Sequence, residues 1–248
     1  MDATTIFVAG VFVLAGAVKG AVGLGLPPIA MGLLAIVMPP VEAASVMVLP
    51  AFLTNAWQML AGPYFRGLAR RLWPLLLCVV AGTLMGSDWL NEENARVGTI
   101  ILGIILAVYA LSGLVSVQYV VDAAKQKWAG PIAGGLTGLT TAATGVSSIP
   151  VVPYFQAIGL EKDELVQAMG LSFTVSAVAL TVNLASVGAL SPSSGPIVAV
   201  AIAAVFAGIW FGQLLRKSLN PRTFRVWFLV ALLALGLYLV ARSAGFGG

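Results

Sequence analysis

The sequence predicts an all-α integral membrane protein built as two inverted-topology repeats, each a broken or re-entrant helix pair followed by three transmembrane helices. Three observations lead there. Of 248 residues, 60% are hydrophobic and 9% charged, whereas ordinary soluble domains carry about 25% charged residues. Two apolar stretches, one in each half, are interrupted by glycine and proline. Residue matches between the halves also recur in a common order.

The chain opens with residues 4–20 and 27–38, two short helices on either side of Gly20, Gly23, Gly25 and Pro27-Pro28. One continuous helix over 4–38 would be about 50 Å long, against a hydrocarbon core of about 30 Å. The chain therefore turns back at the break, as a re-entrant hairpin or as two tilted spans. Residues 43–62, 72–90 and 96–117 are each long enough to span. A polar stretch, Asp122 to Trp128, follows. Residues 130–144 and 148–158 form a second broken pair around Thr144-Gly-Val-Ser-Ser, and 164–187, 195–215 and 223–242 are full spans. This divides the chain into a first repeat (1–121), a cytoplasmic linker (122–128) and a second, inverted repeat (129–248).

The letters follow the same division. Ala15-Gly-Ala-Val-Lys-Gly20 matches Ala133-Gly-Gly-Leu-Thr-Gly138, Pro27 matches Pro150, and Phe52 matches Phe173. Gly82-xxx-Gly86 falls on Gly208-xxx-Gly212, and Tyr109 on Tyr238. The offset grows from 118 (Ala15 to Ala133) to 129 (Tyr109 to Tyr238). Corresponding Gly/Pro-interrupted segments in two halves point to a transporter site at the repeat interface.

Charge gives the orientation. With the loop Arg66–Arg71 in the cytoplasm, as the positive-inside rule asks, Lys125, Lys127, Lys162, Arg216, Lys217, Arg222 and Arg225 share its side. Arg96 and Arg242 fall opposite, and Lys19 is buried. An odd number of full spans follows each turned-back pair, so the second repeat enters from the opposite face and both termini are periplasmic. Trp73, Trp89, Trp128 and Trp227 lie near segment ends and fit an interfacial belt. The N-terminus lacks the basic region of a signal peptide, so the first apolar segment is read as part of the mature protein.

The residues that carry chemistry are few. Lys19 is a lone cation in an apolar stretch, and such a residue is by default a functional candidate. Gly23 and Gly25 loosen the backbone beside it. The second break carries Thr141, Thr144, Gly145, Ser147 and Ser148 instead of charge, with either serine suited to cap a helix beginning at Pro150. Two helix N-termini meeting near midplane would offer N–H groups to an anion. On the third helices, Asn55 and Gln58 lie one turn apart, and Ser176 falls opposite Asn55. Ser172 precedes Ser176 by a turn, and Asn183, nearer the helix end, reads as an interhelical hydrogen bond. The predicted small-anion site is thus Lys19, Gly23, Gly25, Asn55, Gln58, Thr141, Thr144, Gly145, Ser147, Ser148 and Ser176. The glycine pairs at 82/86 and 208/212 read as close helix packing between the repeats.

Other functions are disfavoured. The net charge of +4 is no nucleic-acid signal, because the basic residues sit in short loops. The chain has no histidine and one cysteine, Cys78, so it offers no paired-cysteine relay, and no metal, cofactor or catalytic residue is expected. All nine carboxylates fall at ends or loops, which argues against a cation site. If transport is proton-linked, the carriers are Lys19 or the substrate's own proton. A homodimer is left open, as are a carboxylate substrate and a non-transporting scaffold.

The opening motif Ala15-Gly-Ala-Val-Lys-Gly-Ala-Val-Gly-Leu-Gly-Leu-Pro27 resembles that of the TauE/SafE sulfite-exporter family, as does Gly134-Gly-Leu-Thr-Gly with Ile149-Pro-Val-Val-Pro-Tyr154. The likeness covers essentially the whole chain. It departs from the family at Thr144-Gly-Val-Ser-Ser, where many members carry a glycine-rich run. The resemblance implies a bacterial inner-membrane transporter for sulfite, sulfoacetate or related organosulfonates, operating by export.

Overall fold

The structure is a computed structural model that describes residues 2–86, 94–115, 120–190, 195–216 and 221–244, with side chains of the last segment from Thr223 onward. Among the described residues there are ten helices and no strand. They are α1 (Ala3–Val22), α2 (Leu26–Leu34), α3 (Pro40–Leu60), α4 (Phe65–Met85), α5 (Ala95–Val115), α6 (Ala123–Thr144), α7 (Val151–Ala157), α8 (Lys162–Ser186), α9 (Gly195–Leu215) and α10 (Pro221–Ala244). Seven of these, α1, α3, α4, α5, α8, α9 and α10, are long and apolar enough to cross a membrane.

Boundaries differ from the sequence reading, with α2 ending at Leu34 instead of 38 and α3 running over Pro40–Leu60, and three further shifts move the residues that carry charge or chemistry. Residues 123–128, expected as a linker, are the first turns of α6, since nothing between Ala123 and Trp128 breaks a helix. Helix α4 starts at Phe65, so Arg66, Arg70 and Arg71 lie on its first turns and not in a loop. Helix α7 starts at Val151 instead of 148. Asp88, Trp89, Asn91, Glu92, Glu93 and Lys217 lie outside the described residues. Trp73, Trp128 and Trp227 are exposed, as side chains facing the lipid boundary should be.

The two broken pairs turn back. Helix α2 has nine residues and α7 seven, so they rise only about 13 Å and about 10 Å, less than half a hydrocarbon core. The end of α7 returns to the start of α6: Val121 N–H donates to the Ala157 carbonyl at 2.9 Å. An arginine meets the far end of each short helix. The Arg242 guanidinium donates to the Ile36 carbonyl at 2.8 Å, and that of Arg71 to the Ile158 carbonyl at 3.4 Å. At the N-terminus of α1, Asp2 accepts from the Thr5 backbone N–H and hydroxyl, and these bonds hold its carboxyl below the ordinary carboxylate range.

Glycines decide which helices touch. A Cβ on Gly16 would strike the Val205 carbonyl, and one on Gly20 the Ile209 carbonyl; reciprocally, Gly208 faces Val13 and Gly212 faces Ala17. Residue numbers rise together, so α1 and α9 run parallel. The same holds for α4 and α6: Gly134 faces Leu75, Gly138 faces Val79, and Gly82 faces Gly135. Small residues let backbones approach this closely in a membrane, where van der Waals packing drives association. In α5 and α10, Gly103 faces Gly236 and Gly113 faces Leu229, an antiparallel pair. Gly62 near Gln167 and Gly170 near Met59 make α3 and α8 antiparallel as well. These directions bring the starts of α4, α6 and α8 to one face, with Arg66, Arg70, Arg71, Lys125, Lys127 and Lys162 on their first turns.

One measurement separates packing glycines from idle ones. In purified protein, Gly16→Ala should lower the thermal unfolding midpoint, because its Cβ meets backbone that cannot step aside; overpacking of this kind costs about 1–3 kcal/mol. Gly10, with open space around it, should tolerate alanine or gain from its better helix propensity.

Candidate functional site

Lys19 sits in the last turn of α1 and is 6% exposed. Its ammonium donates to the Thr54 hydroxyl oxygen at 3.1 Å and to Asn55 Oδ1, both on α3. Thr54 turns its own proton to the Pro50 carbonyl (2.9 Å), so its lone pairs face the lysine. Among the described residues the one ion pair within 4 Å is Lys125–Asp122, which is exposed. The Lys19 charge is therefore met by neutral acceptors and by the partial negative charge at a helix C-terminus. An ammonium has three donors; Thr54 and Asn55 take two.

The breaks are shaped by three glycines in the left-handed region, Gly23 (φ 86°), Gly25 (φ 109°) and Gly145 (φ 71°). Gly23 N–H closes α1 on the Lys19 carbonyl (2.7 Å), and Gly145 N–H closes α6 on the Thr141 carbonyl (2.8 Å). A side chain at any of the three would be strained.

The expected pair of N–H-rich helix ends is not what the chain builds. Pro27 and Pro28 carry no N–H, and Ile29 N–H is bonded to the Gly25 carbonyl. Pro150 and Pro153 likewise lack donors. Neither Ser147 nor Ser148 caps α7 through its side chain, because the cap position is Pro150. The orphan donor there, Val151 N–H, goes to the Thr137 hydroxyl oxygen of α6 at 3.1 Å, and Val152 N–H goes to the Ser148 backbone carbonyl. Prolines in each first turn remove donors that an anion would use, and Ile29, Val151 and Val152 spend theirs on Gly25, Thr137 and Ser148.

Other hydroxyls of α6 serve the backbone too. Thr140 donates to the Ile149 carbonyl (2.8 Å), Thr141 to Thr137 (2.7 Å) and Thr144 to Thr140 (2.6 Å). Gln58 gives its amide to the carbonyls of Gly23 (3.2 Å) and Val166 (2.7 Å), and Asn183 gives its own to Thr83 (3.2 Å).

Between the breaks lies a cavity of about 10 Å³ whose wall joins Pro27, Asn55, Thr141, Gly145, Ser147 and Ser176. That is room for about one water. Lys19 reaches this wall through Asn55. Gly23, Gly25, Gln58, Thr144 and Ser148 are outside the lining, though Ser148 is buried beside it in sequence. The hydroxyls of Ser148, Ser172 and Ser176 are buried without any hydrogen-bond partner. An unmet buried polar group costs about 1–3 kcal/mol, so three of them in one region call for an explanation. Val48 is shared with a second, apolar cavity of about 660 Å³ between α3, α8 and α9, which Phe52, Val178 and Thr181 also line. Among the described residues no group of three or more His, Cys, Asp and Glu is assembled.

Sequence reasoning missed Thr54 and Gln167. Pro50, four residues before Thr54, is the available signal: it breaks the hydrogen-bond ladder of α3 and marks the turn where a hydroxyl is useful. Nothing in the sequence marks Gln167 beyond its being an amide near the start of an apolar span.

Thr137→Val should lower the unfolding midpoint by leaving Val151 N–H unmet, a loss of about 1–3 kcal/mol, whereas Thr137→Ser should keep the wild-type value. Thermal unfolding in detergent distinguishes them.

The profile of the sulfite exporter TauE/SafE family matches residues 8–239. No curated protein and no solved structure matches the chain. With that match running from the first turns of α1 to the last turns of α10, and so across both breaks and the buried lysine, the chain belongs to the TauE/SafE family of membrane sulfite and anion exporters.

Proposed function

We propose that the protein exports small sulfur-containing anions, sulfite or an organosulfonate such as sulfoacetate, across the bacterial inner membrane. The anion sits between the two breaks. It takes the third donor of the Lys19 ammonium, with Asn55 below and the Ser147 and Ser176 hydroxyls opposite. The observation that carries this reading is a buried ammonium with no acid partner, beside a cavity walled by an unpartnered serine hydroxyl. The fold meets this ammonium with two neutral acceptors, and an anion at its third donor would add the opposite charge. Access alternates as the two halves, 1–121 and 129–248, move against each other where α3 meets α8 beside the site.

The inverted relation of the halves belongs to the same proposal. Helices α1 and α9 run parallel, as do α4 and α6, while α3 opposes α8 and α5 opposes α10. The counterpart helices that touch, α3 with α8 and α5 with α10, are antiparallel, which is what an inverted repeat asks for. Basic residues on the first turns of α4, α6 and α8 put that face in the cytoplasm by the positive-inside rule, which leaves both termini periplasmic. The cavity holds about one water, so this conformation is shut around the site and must widen to admit an anion.

Flux in proteoliposomes tests the reading. Sulfite should saturate, and Lys19→Met should weaken its half-saturation by about 10–100-fold, the loss of one charge-assisted hydrogen bond of about 1.5–3 kcal/mol. Unchanged affinity in the mutant removes Lys19 from the site. A small carboxylate that competes as well as sulfite removes the preference for sulfur anions.

A further inference from the structure

The seam between α3 and α8 is unequal at its two ends. At the end holding Ser45 and Thr181 it opens into the 660 Å³ cavity. At the other end it is shut by two amides reaching in opposite directions. Gln58 of α3 donates to the Val166 carbonyl of α8 and to that of Gly23. Gln167 of α8 donates to the Met59 and Gly62 carbonyls at 2.7 Å each, and its Oε1 accepts from Tyr64 N–H at 2.8 Å. A Cβ on Gly170 would lie 2.6 Å from the Met59 nitrogen, so the two backbones are in direct contact here. Leu68, Leu72 and Met169 pack beside them.

Between this closure and the central cavity lies Ser172. It is fully buried, and its hydroxyl has no partner. A hydroxyl in such a helix ordinarily bonds back one turn, and its neighbours do: Thr174 to the Gly170 carbonyl and Thr181 to that of Ala177, both at 2.7 Å. Ser172 and Ser176 break the pattern. They are four residues apart, on one face of the helix, and Ser176 lines the cavity.

We propose that the anion's path from the central cavity toward the face bearing Arg66, Arg70 and Arg71 runs along α8 past Ser172, and that Gln58 and Gln167 form the bar that closes it. This rests on the transport function proposed above. Ser172 contacts the passing anion; Gln167 is a positioning residue that holds α3 against α8. Neutral amide bonds to carbonyls suit a contact that opens every cycle, since each is modest in strength and water can replace it. Gln58 also ties the bar to the site, because the Gly23 carbonyl it holds belongs to the residue whose N–H closes α1 on Lys19.

The test uses the full chain with Cys78→Ala, reconstituted in liposomes, carrying Ser172→Cys as reporter. A membrane-impermeant anionic methanethiosulfonate is applied from the Arg66–Arg71 face. Adding Gln167→Ala should raise the labelling rate about tenfold, as loss of the amide's bonds lets the closed state open more often, and sulfoacetate, which unlike sulfite does not attack the reagent, should slow the reaction. A parallel Val178→Cys protein, labelled from the opposite face through the large cavity, reports that the fold is intact. If Gln167→Ala abolishes that control, Gln167→Asn, whose shorter amide falls short of both carbonyls, replaces it. An unchanged Ser172→Cys rate with the control intact overturns the proposal. Faster labelling that sulfoacetate does not slow supports the bar and counts against an organosulfonate passing Ser172.

Discussion

An ammonium inside hydrocarbon has to be solvated by the protein around it, and the solvation of Lys19 sets the terms for the rest of this structure. A lysine buried within a membrane protein is costly unless the protein solvates it. The fold offsets this with two neutral acceptors on α3 and with the carbonyl-rich end of α1. That arrangement needs α1 to stop at Gly23, α3 to pass close by, and α1 to be held in depth and rotation by α9. An acid in place of Asn55 would neutralise the lysine; an amide steadies it and leaves its charge uncancelled.

Much of this was legible beforehand. The Gly/Pro breaks, the spans and the GxxxG faces follow from composition and spacing, because the bilayer fixes helix length and small residues fix close approach. Lys19 stood out for its charge alone. What the sequence could not give was which polar groups face one another. Thr54 and Asn55 are neighbours pointing about 100° apart on a helix, yet both reach the same ammonium, which depends on where α1 docks. The serines at 147 and 148 look like caps, and Thr137 does the capping because α6 packs over the start of α7. Gln58 looked like a wall of the site, but the carbonyls that take its amide come from Gly23 and from α8, 108 residues away.

The packing divides the molecule into parts of different stiffness. The parallel pairs α1–α9 and α4–α6 are joined by reciprocal glycine contacts in which backbone touches backbone. Such interfaces have one tight arrangement and leave little room for sliding. Each also links the first half of the chain to the second. The α3–α8 seam is different: it holds both cavities, the unpartnered Ser172 and Ser176, and the paired glutamines. Motion confined to that seam would leave the rigid pairs intact, and it would pass directly beside the lysine.

The arginines at the ends of the two short helices have a consequence of their own. Arg242 grips the Ile36 carbonyl just after α2, and Arg71 the Ile158 carbonyl just after α7. A guanidinium prefers the headgroup layer, so in a bilayer the two grips would act like moorings at the water's edge, one on either shore. The half-length helices then hang to a fixed draught, and the gap between their tips is set by their own residue counts and not by lipid. A thicker or thinner bilayer would tilt the long spans before it altered that gap.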